Sequence, residues 1–89
     1  MKKYEKEELN NNIEEIMDTI LFNNQPFYLT NNKGNELFCT CYGEQKVYIY
    51  KMHNNIISDN CSAVFTKNDF VNCKKYIEKI EVIEEDIME

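Results

Sequence analysis

Hydrophobic residues recur at helical spacing near the start of the chain. Within residues 4–21 they follow at intervals of four, three and four positions, at Leu9, Ile13, Ile16 and Ile20. Such intervals bring side chains onto one face of an α-helix. The acidic residues of the same stretch fall mostly on the opposite face: Glu5, Glu7, Glu8, Glu14, Glu15 and Asp18. The pattern predicts an amphipathic helix over residues 4–21.

The middle of the chain has the alternating pattern of β-strands. Residues 27–30 form a short first strand, and residues 35–52 form two β-rich runs that predict a hairpin. A three-residue loop at 43–45 would pair Tyr42 with Lys46. A two-residue loop opened by Gly43 would shift the register by one residue. We favour the three-residue loop, because it sorts the side chains into an aliphatic face and an aromatic face. The aromatic face then carries Phe38, Tyr42, Tyr48 and Tyr50.

The last third of the chain has a less regular pattern. Residues 53–60 are rich in turn formers and predict a loop, and residues 61–65 fit a fourth strand. Thr66 has the position of a helix N-cap. Hydrophobic residues then recur at helical spacing, at Phe70, Cys73, Ile77 and Ile80. The pattern predicts a helix from residue 66 to about residue 79, while residues 80–89 fit a continuing helix, a last strand or a tail.

These elements predict a single small α+β domain spanning residues 1–89. Its order is an N-terminal helix, a three- to four-stranded antiparallel meander and a C-terminal helix. Both helices would cover one face of the sheet and give two layers. The second face would stay open to solvent.

The charge of the chain favours a basic protein partner. The net charge is −6, and all ten basic residues are lysines. Arginine is the preferred side chain for phosphates and base edges, so direct nucleic-acid binding is disfavoured. Acidic residues crowd the last twelve positions: Glu78, Glu81, Glu84, Glu85, Asp86 and Glu89. Together with the helix acids they form either a solvated surface that keeps the protein soluble or a mimic of nucleic acid.

The cysteines and the single histidine have no recognised catalytic spacing. Zinc-ligand types are present at Cys39, Cys41, Cys61, Cys73 and His53. One residue separates Cys39 from Cys41, whereas structural zinc sites use two to four. We therefore expect small buried hydrophobic side chains, with a zinc or thiol site as the alternative. No cofactor and no enzymatic activity are predicted.

The tyrosines of the hairpin have two interpretations. Tyrosine and phenylalanine are enriched in protein interfaces, where they contribute large contact areas. The alternative is an ordinary core, covered by a second layer or by a dimer mate. Stacking on single-stranded bases would need a basic groove, which the composition does not favour.

The composition also suggests where the protein acts. The N-terminus has no apolar segment of a signal peptide, and no run reaches the roughly 18 apolar residues of a membrane span. We expect the cytoplasm. Abundant Lys, Asn and Ile with little Gly and Pro indicate AT-rich coding, as in low-GC bacteria and their phages.

Small size, acidity, absence of arginine, an α+β pattern and absence of a catalytic motif together resemble the phage-encoded inhibitors of bacterial defence, anti-CRISPR proteins among them. The resemblance implies a non-enzymatic viral protein that acts in the bacterial host cytoplasm. It would inhibit a basic nucleic-acid-processing partner by blocking its nucleic-acid channel. The acidic residues would bind the partner, and the hairpin tyrosines would be apolar anchors. An immunity-type protein that neutralises a toxin and a homodimeric structural subunit are the alternatives.

Overall fold

Six strands form one antiparallel sheet in the computed structural model of the chain, which describes residues 2–83. The strands are β1 (Lys2–Tyr4), β2 (Phe27–Asn31), β3 (Leu37–Gly43), β4 (Lys46–His53), β5 (Ile56–Thr66) and β6 (Ile77–Val82). Their spatial order is β1-β6-β2-β3-β4-β5. The helices are α1 (Lys6–Phe22) and the short α2 (Lys67–Val71), and a 3₁₀ turn follows at Lys74–Tyr76.

The predicted order of N-terminal helix, meander and C-terminal helix is wrong. Strands dominate the fold, and α1 is the one long helix among residues 2–83. It begins two residues later than predicted because β1 precedes it. β1 pairs with β6, so both ends of the described chain meet in the sheet.

The predicted C-terminal helix is wrong because a β-bulge imitates helical spacing. Thr66 does cap a helix, since its hydroxyl accepts a hydrogen bond from the backbone N–H of Asp69 at 3.1 Å. That helix, α2, ends at Val71. In β6 the register shifts beside Glu78, so Ile77 and Ile80 are both buried although they are three residues apart. A bulge adds one residue to the strand period of two, and the resulting interval of three is also a helical interval.

The predicted loop at residues 53–60 is mostly strand. Asn54 and Asn55 have φ angles of 52° and 66° and form a two-residue turn, because His53 already pairs with Ile56. Asparagine tolerates positive φ better than most residues. The asparagines therefore mark a tight hairpin turn, and β5 begins directly after it.

The predicted register of the central hairpin is wrong by one residue. The turn is Glu44-Gln45, both with positive φ, and Gly43 pairs with Lys46. A two-residue turn of this kind matches the right-handed twist of the strands. Tyr42 consequently lies opposite Val47. Aromatic and aliphatic side chains are mixed on both faces of the sheet.

Both helices pack on the same face of the sheet. α1 lies against β6, and α2 lies against β4 and β5. The strands bury alternate residues beneath them: Phe27, Leu29, Val47, Ile49, Ile80 and Val82. Thr40 is also buried there, and its hydroxyl bonds both the N–H and the C=O of Phe27, at 3.1 and 2.9 Å. This side chain satisfies the backbone of Phe27 where the pairing of β2 with β3 ends.

Candidate interaction surfaces

The solvent side of α1 is the first candidate surface, and we call it the acidic face. Its members are Glu5, Glu7, Glu8, Glu14, Glu15 and Asp18, all of them exposed. The opposite side of the helix buries Leu9, Met17, Ile20 and Leu21 in the core. The apolar spacing of the sequence therefore fixes the direction in which these carboxylates point. The backbone leaves helical geometry at Asn12 and divides the acidic face into two groups.

Two lysines adjoin the acidic face. The amine of Lys74 forms a short ion pair with Glu14, which lowers the pKa of the Glu14 carboxyl. Lys6, at the start of α1, donates to the carbonyl oxygen of Ile77 at 3.1 Å. The acidic face thus carries six carboxylates, and the lysine of its own helix points towards β6.

The predicted C-terminal acids are only partly described. Glu84, Glu85, Asp86 and Glu89 lie outside the described residues. Glu78 and Glu81 are half-buried in β6, and Glu81 pairs with Lys79 at 3.3 Å. Glu81 is also opposite Lys3 in the register of β1 and β6. Lysines therefore neighbour Glu81, unlike most of the acids of α1.

The sheet face away from the helices is the second candidate surface. Across β3, β4 and β5, one row is Cys41, Tyr48 and Val64, and a second row is Cys39, Tyr50 and Cys61. We call these six residues the tyrosine–cysteine face. Cys41, Cys61 and Val64 are exposed, the two tyrosines are half-buried and Cys39 is buried. The six residues include no aspartate, glutamate, lysine or arginine.

Two groups of this face, Tyr50 and Cys39, have raised pKa values. Burial and the neighbouring thiols of Cys61 and Cys41 raise the pKa of Tyr50. Burial and the adjacent Cys41 raise the pKa of the Cys39 thiol. Reactive cysteines have lowered pKa values, since the thiolate is the nucleophile. The geometry therefore favours contact over thiol chemistry at Cys39.

Phe38 and Tyr42 do not belong with Tyr48 and Tyr50, contrary to the predicted aromatic face. Phe38 packs against the core on the helix side. The hydroxyl of Tyr42 donates to the carbonyl oxygen of Gln25 at 2.7 Å, and burial raises its pKa. The cause is the two-residue turn, which places even-numbered residues of β3 beside odd-numbered residues of β4. Tyr42 therefore has a structural role.

The four cysteines do not converge on one point. Cys39, Cys41 and Cys61 share the tyrosine–cysteine face, but Cys73 lies beside α2 on the helix side. His53 is exposed at the hairpin turn before Asn54. Among residues 2–83, no three histidine, cysteine, aspartate or glutamate side chains are grouped so as to hold a metal ion.

Comparison with known proteins finds no relative of this chain. The chain matches no protein-family model, and no curated protein or solved structure is significantly similar to it. Within the described part of the chain, no helix is long and apolar enough to cross a membrane.

Sequence reasoning missed the contribution of β5 to the tyrosine–cysteine face. Val64 is 48% exposed and lies opposite Tyr48, and Cys61 lies opposite Tyr50. A signal was present in the sequence, because residues 56–66 contain one charged residue, Asp59, and several β-branched residues. β-branched residues are enriched in strands. The pattern predicted a strand only at residues 61–65, because the asparagines before Ile56 indicated a loop, and it did not pair this strand with Tyr48 and Tyr50.

Proposed function

We propose that the chain is a non-enzymatic binding protein that inhibits a basic, nucleic-acid-processing protein. The acidic face of α1 is the surface that binds this partner. The observation that carries the proposal is the exposure of five carboxylates on the solvent side of α1, together with that of Glu5 at its N-cap, while the opposite side of the helix is buried. An anti-defence inhibitor of the anti-CRISPR kind is the form of this function that the sequence resemblance favours.

The spacing of these acids supports a functional role. Glu14 and Asp18 are four residues apart, and Glu15 and Asp18 are three apart, so they are neighbours on the helix surface. Like charges at these spacings destabilise a helix by about 0.2–0.5 kcal/mol per pair. Asp18 also lies near the C-terminal end of α1, where the helix dipole disfavours negative charge. Helix stability alone would select different residues at these positions.

The physical mechanism is electrostatic. A channel that holds nucleic acid is lined by lysines and arginines that neutralise phosphates. Carboxylates fixed on a helix compete for the same cations and exclude the nucleic acid. Exposed charges are screened over about 8 Å at physiological ionic strength, so the affinity should fall as salt is added.

The test is a pair of charge-reversal variants with the same net charge. Glu15→Lys/Asp18→Lys changes the acidic face, while Glu44→Lys/Asp59→Lys changes two exposed acids elsewhere. Each double variant moves the net charge from −6 to −2, since two charges each change by two. Tagged wild-type protein and both variants are used to capture proteins from a low-GC bacterial lysate that contains defence complexes. Bound proteins are identified by mass spectrometry after washing at about 0.05 M and about 0.5 M salt.

We expect wild type and the control variant to retain a basic nucleic-acid-binding protein at low salt, and the α1 variant to lose it. Purified target should release its DNA or RNA when wild-type protein is added. Lysine at position 18 is four residues after Glu14, so thermal unfolding should show the α1 variant to be at least as stable as wild type. Equal loss of the target in both variants would mean that net charge, and not the acidic face, causes binding. Retention by the α1 variant would refute the proposal.

A further inference from the structure

A groove lies between the C-terminal end of α1 and the short helix α2, and we call it the α1–α2 groove. Its volume is about 630 Å³, within the range of about 300–1,000 Å³ that is typical of ligand pockets. Leu21, Phe22 and Val71 form the apolar part of its lining, and the charged residues of the lining are Asp18 and Lys67. Because Asp18 also belongs to the acidic face, the groove continues that face.

Phe22 is the unusual member of this lining. Of the large hydrophobic side chains in residues 2–83, it is the most exposed, at 84%. Glu15, Asp18 and Phe22 follow one another at intervals of three and four residues, so they form one stripe on the helix surface. The acidic face therefore ends in an aromatic ring that neighbours a carboxylate.

The electrostatics of the groove favour a cation. The C-terminal end of a helix carries a partial negative charge, and the last turn of α1 contains no basic residue. Asp18 adds a full negative charge there. The amine of Lys67 instead donates to Oδ1 of Asn24 at 2.6 Å and lies 5.5 Å from the centre of the Tyr42 ring. A positive charge at this end of α1 can therefore come from a partner.

An arginine side chain suits this combination of ring and carboxylate. Its planar guanidinium can stack on an aromatic ring and donate hydrogen bonds to a carboxylate at the same time. A lysine amine is more strongly hydrated and has no flat surface to stack. An apolar side chain would cover Phe22 but would also remove water from Asp18 without pairing its charge, which is unfavourable.

We propose that the α1–α2 groove binds an arginine side chain of the basic partner, with its guanidinium stacked on Phe22 and hydrogen-bonded to Asp18. The groove adjoins the acidic face, so this inference rests on the proposed function and names the residue type that the partner contributes. Charge alone attracts arginine and lysine alike, whereas the Phe22 ring discriminates between them. The signature is a preference for arginine that depends on Phe22 at constant net charge.

Two peptides of about nine residues, one of arginine only and one of lysine only, carry equal charge and test this preference. Isothermal titration calorimetry at about 0.05 M salt should show wild-type protein binding the arginine peptide at least about fourfold more tightly. Phe22→Ala should lower this ratio about threefold and leave the affinity for the lysine peptide unchanged. Phe22→Tyr keeps the ring and should keep the ratio. The matched control is Ile56→Ala, which truncates a 70% exposed side chain at the start of β5.

The outcomes separate the groove from the acidic face. Circular dichroism checks that each variant folds. An equal ratio in wild type and Phe22→Ala, or an equal fall in Ile56→Ala, would refute the groove as an arginine site. The capture experiment with Glu15→Lys/Asp18→Lys decides the proposed function separately. Loss of the target there, together with an unchanged ratio in Phe22→Ala, would refute the groove alone.

Discussion

The two faces of the sheet use similar side chains but have different surroundings. On the helix side, Val47 and Ile80 are completely buried beneath α1 and α2. On the other side, Tyr48 is half-buried and Val64 is 48% exposed. The strands alternate between these two sides with a period of two, so each strand contributes to both. What distinguishes the faces is the presence of a covering layer, since hydrophobicity alone does not.

This difference indicates where truncations should cost the most stability. Side chains under the helices contribute to the free energy of folding of the single chain. On the tyrosine–cysteine face, Cys39 is buried and the two tyrosines are half-buried, so Cys41, Cys61 and Val64 are the side chains that keep the most contact with solvent. Truncation under the helices should therefore lower the free energy of unfolding more than truncation at these three positions.

The largest expected effect is the contrast between Ile80→Ala and Val64→Ala. Ile80 is fully buried, so its truncation removes apolar contacts and leaves a cavity, at a cost of about 3 kcal/mol in the free energy of unfolding. Val64 is half-exposed, and its truncation should cost at most about 0.5 kcal/mol in dilute protein. Urea denaturation of the two variants and wild type gives both values.

Protein concentration is the control for this contrast. Any association would stabilise the folded state, so both variants are unfolded at two dilute concentrations, and each cost should be the same at both. Similar costs for the two variants in dilute protein would mean that both faces are covered within the single chain.

The covered face was easier to predict from the sequence than the strands at its margins. α1 follows from its apolar spacing, and β2 and the central hairpin follow from their alternating residues. A last strand was one of the alternatives for residues 80–89, but the start of β6 at Ile77 was predicted as helix, because the bulge at Glu78 gives the strand a helical interval. β1 was not predicted, because three residues, Lys2–Tyr4, carry no periodic signal and become a strand by pairing with β6. Such pairing between distant parts of the chain is a tertiary effect.

Tyr42 and Tyr48 offer a smaller test, since they are close in the hairpin but point to opposite faces. Tyr42→Phe removes the hydrogen bond to the carbonyl of Gln25 and should cost about 1 kcal/mol. Tyr48→Phe, on the open face, should have little effect on the unfolding of dilute protein. Urea denaturation near neutral pH measures the difference.

The pH dependence of the stability difference between wild type and Tyr42→Phe tests whether the Tyr42 hydroxyl is buried. Burial raises the pKa of Tyr42 above its value in the unfolded chain, which is about 10. The resulting stability is complete below about pH 10 and is lost as the pH rises towards the folded pKa. The stability difference between wild type and Tyr42→Phe should therefore be constant from about pH 8 to about pH 10 and shrink from there to about pH 11. A constant difference over this range would contradict the burial of the hydroxyl.

The candidate surfaces were only partly predictable, and the hairpin register is the reason. The acidic face follows from the sequence, because apolar spacing in α1 determines where the carboxylates point. The tyrosine–cysteine face does not, because a shift of one residue exchanges the faces of a whole strand. Glu44 and Gln45 are not the asparagine and glycine that favour such a turn, so residues 44–45 carry no strong local signal for it.

The turn itself allows the smallest test, since it fixes which side chains share each face. Gln45 has a φ of 64°, a conformation that glycine adopts without steric cost. Glycine removes this strain from the folded state but also adds conformational entropy to the unfolded chain. We expect the first effect to be larger, so Gln45→Gly should stabilise the chain by about 0.5 kcal/mol. Asn55→Gly, in the next turn, should have a smaller effect because asparagine already tolerates its φ of 66°. Thermal unfolding compares both variants with wild type. Destabilisation by Gln45→Gly would argue for the three-residue loop, in which Tyr42 would return to the side of Tyr48 and Tyr50.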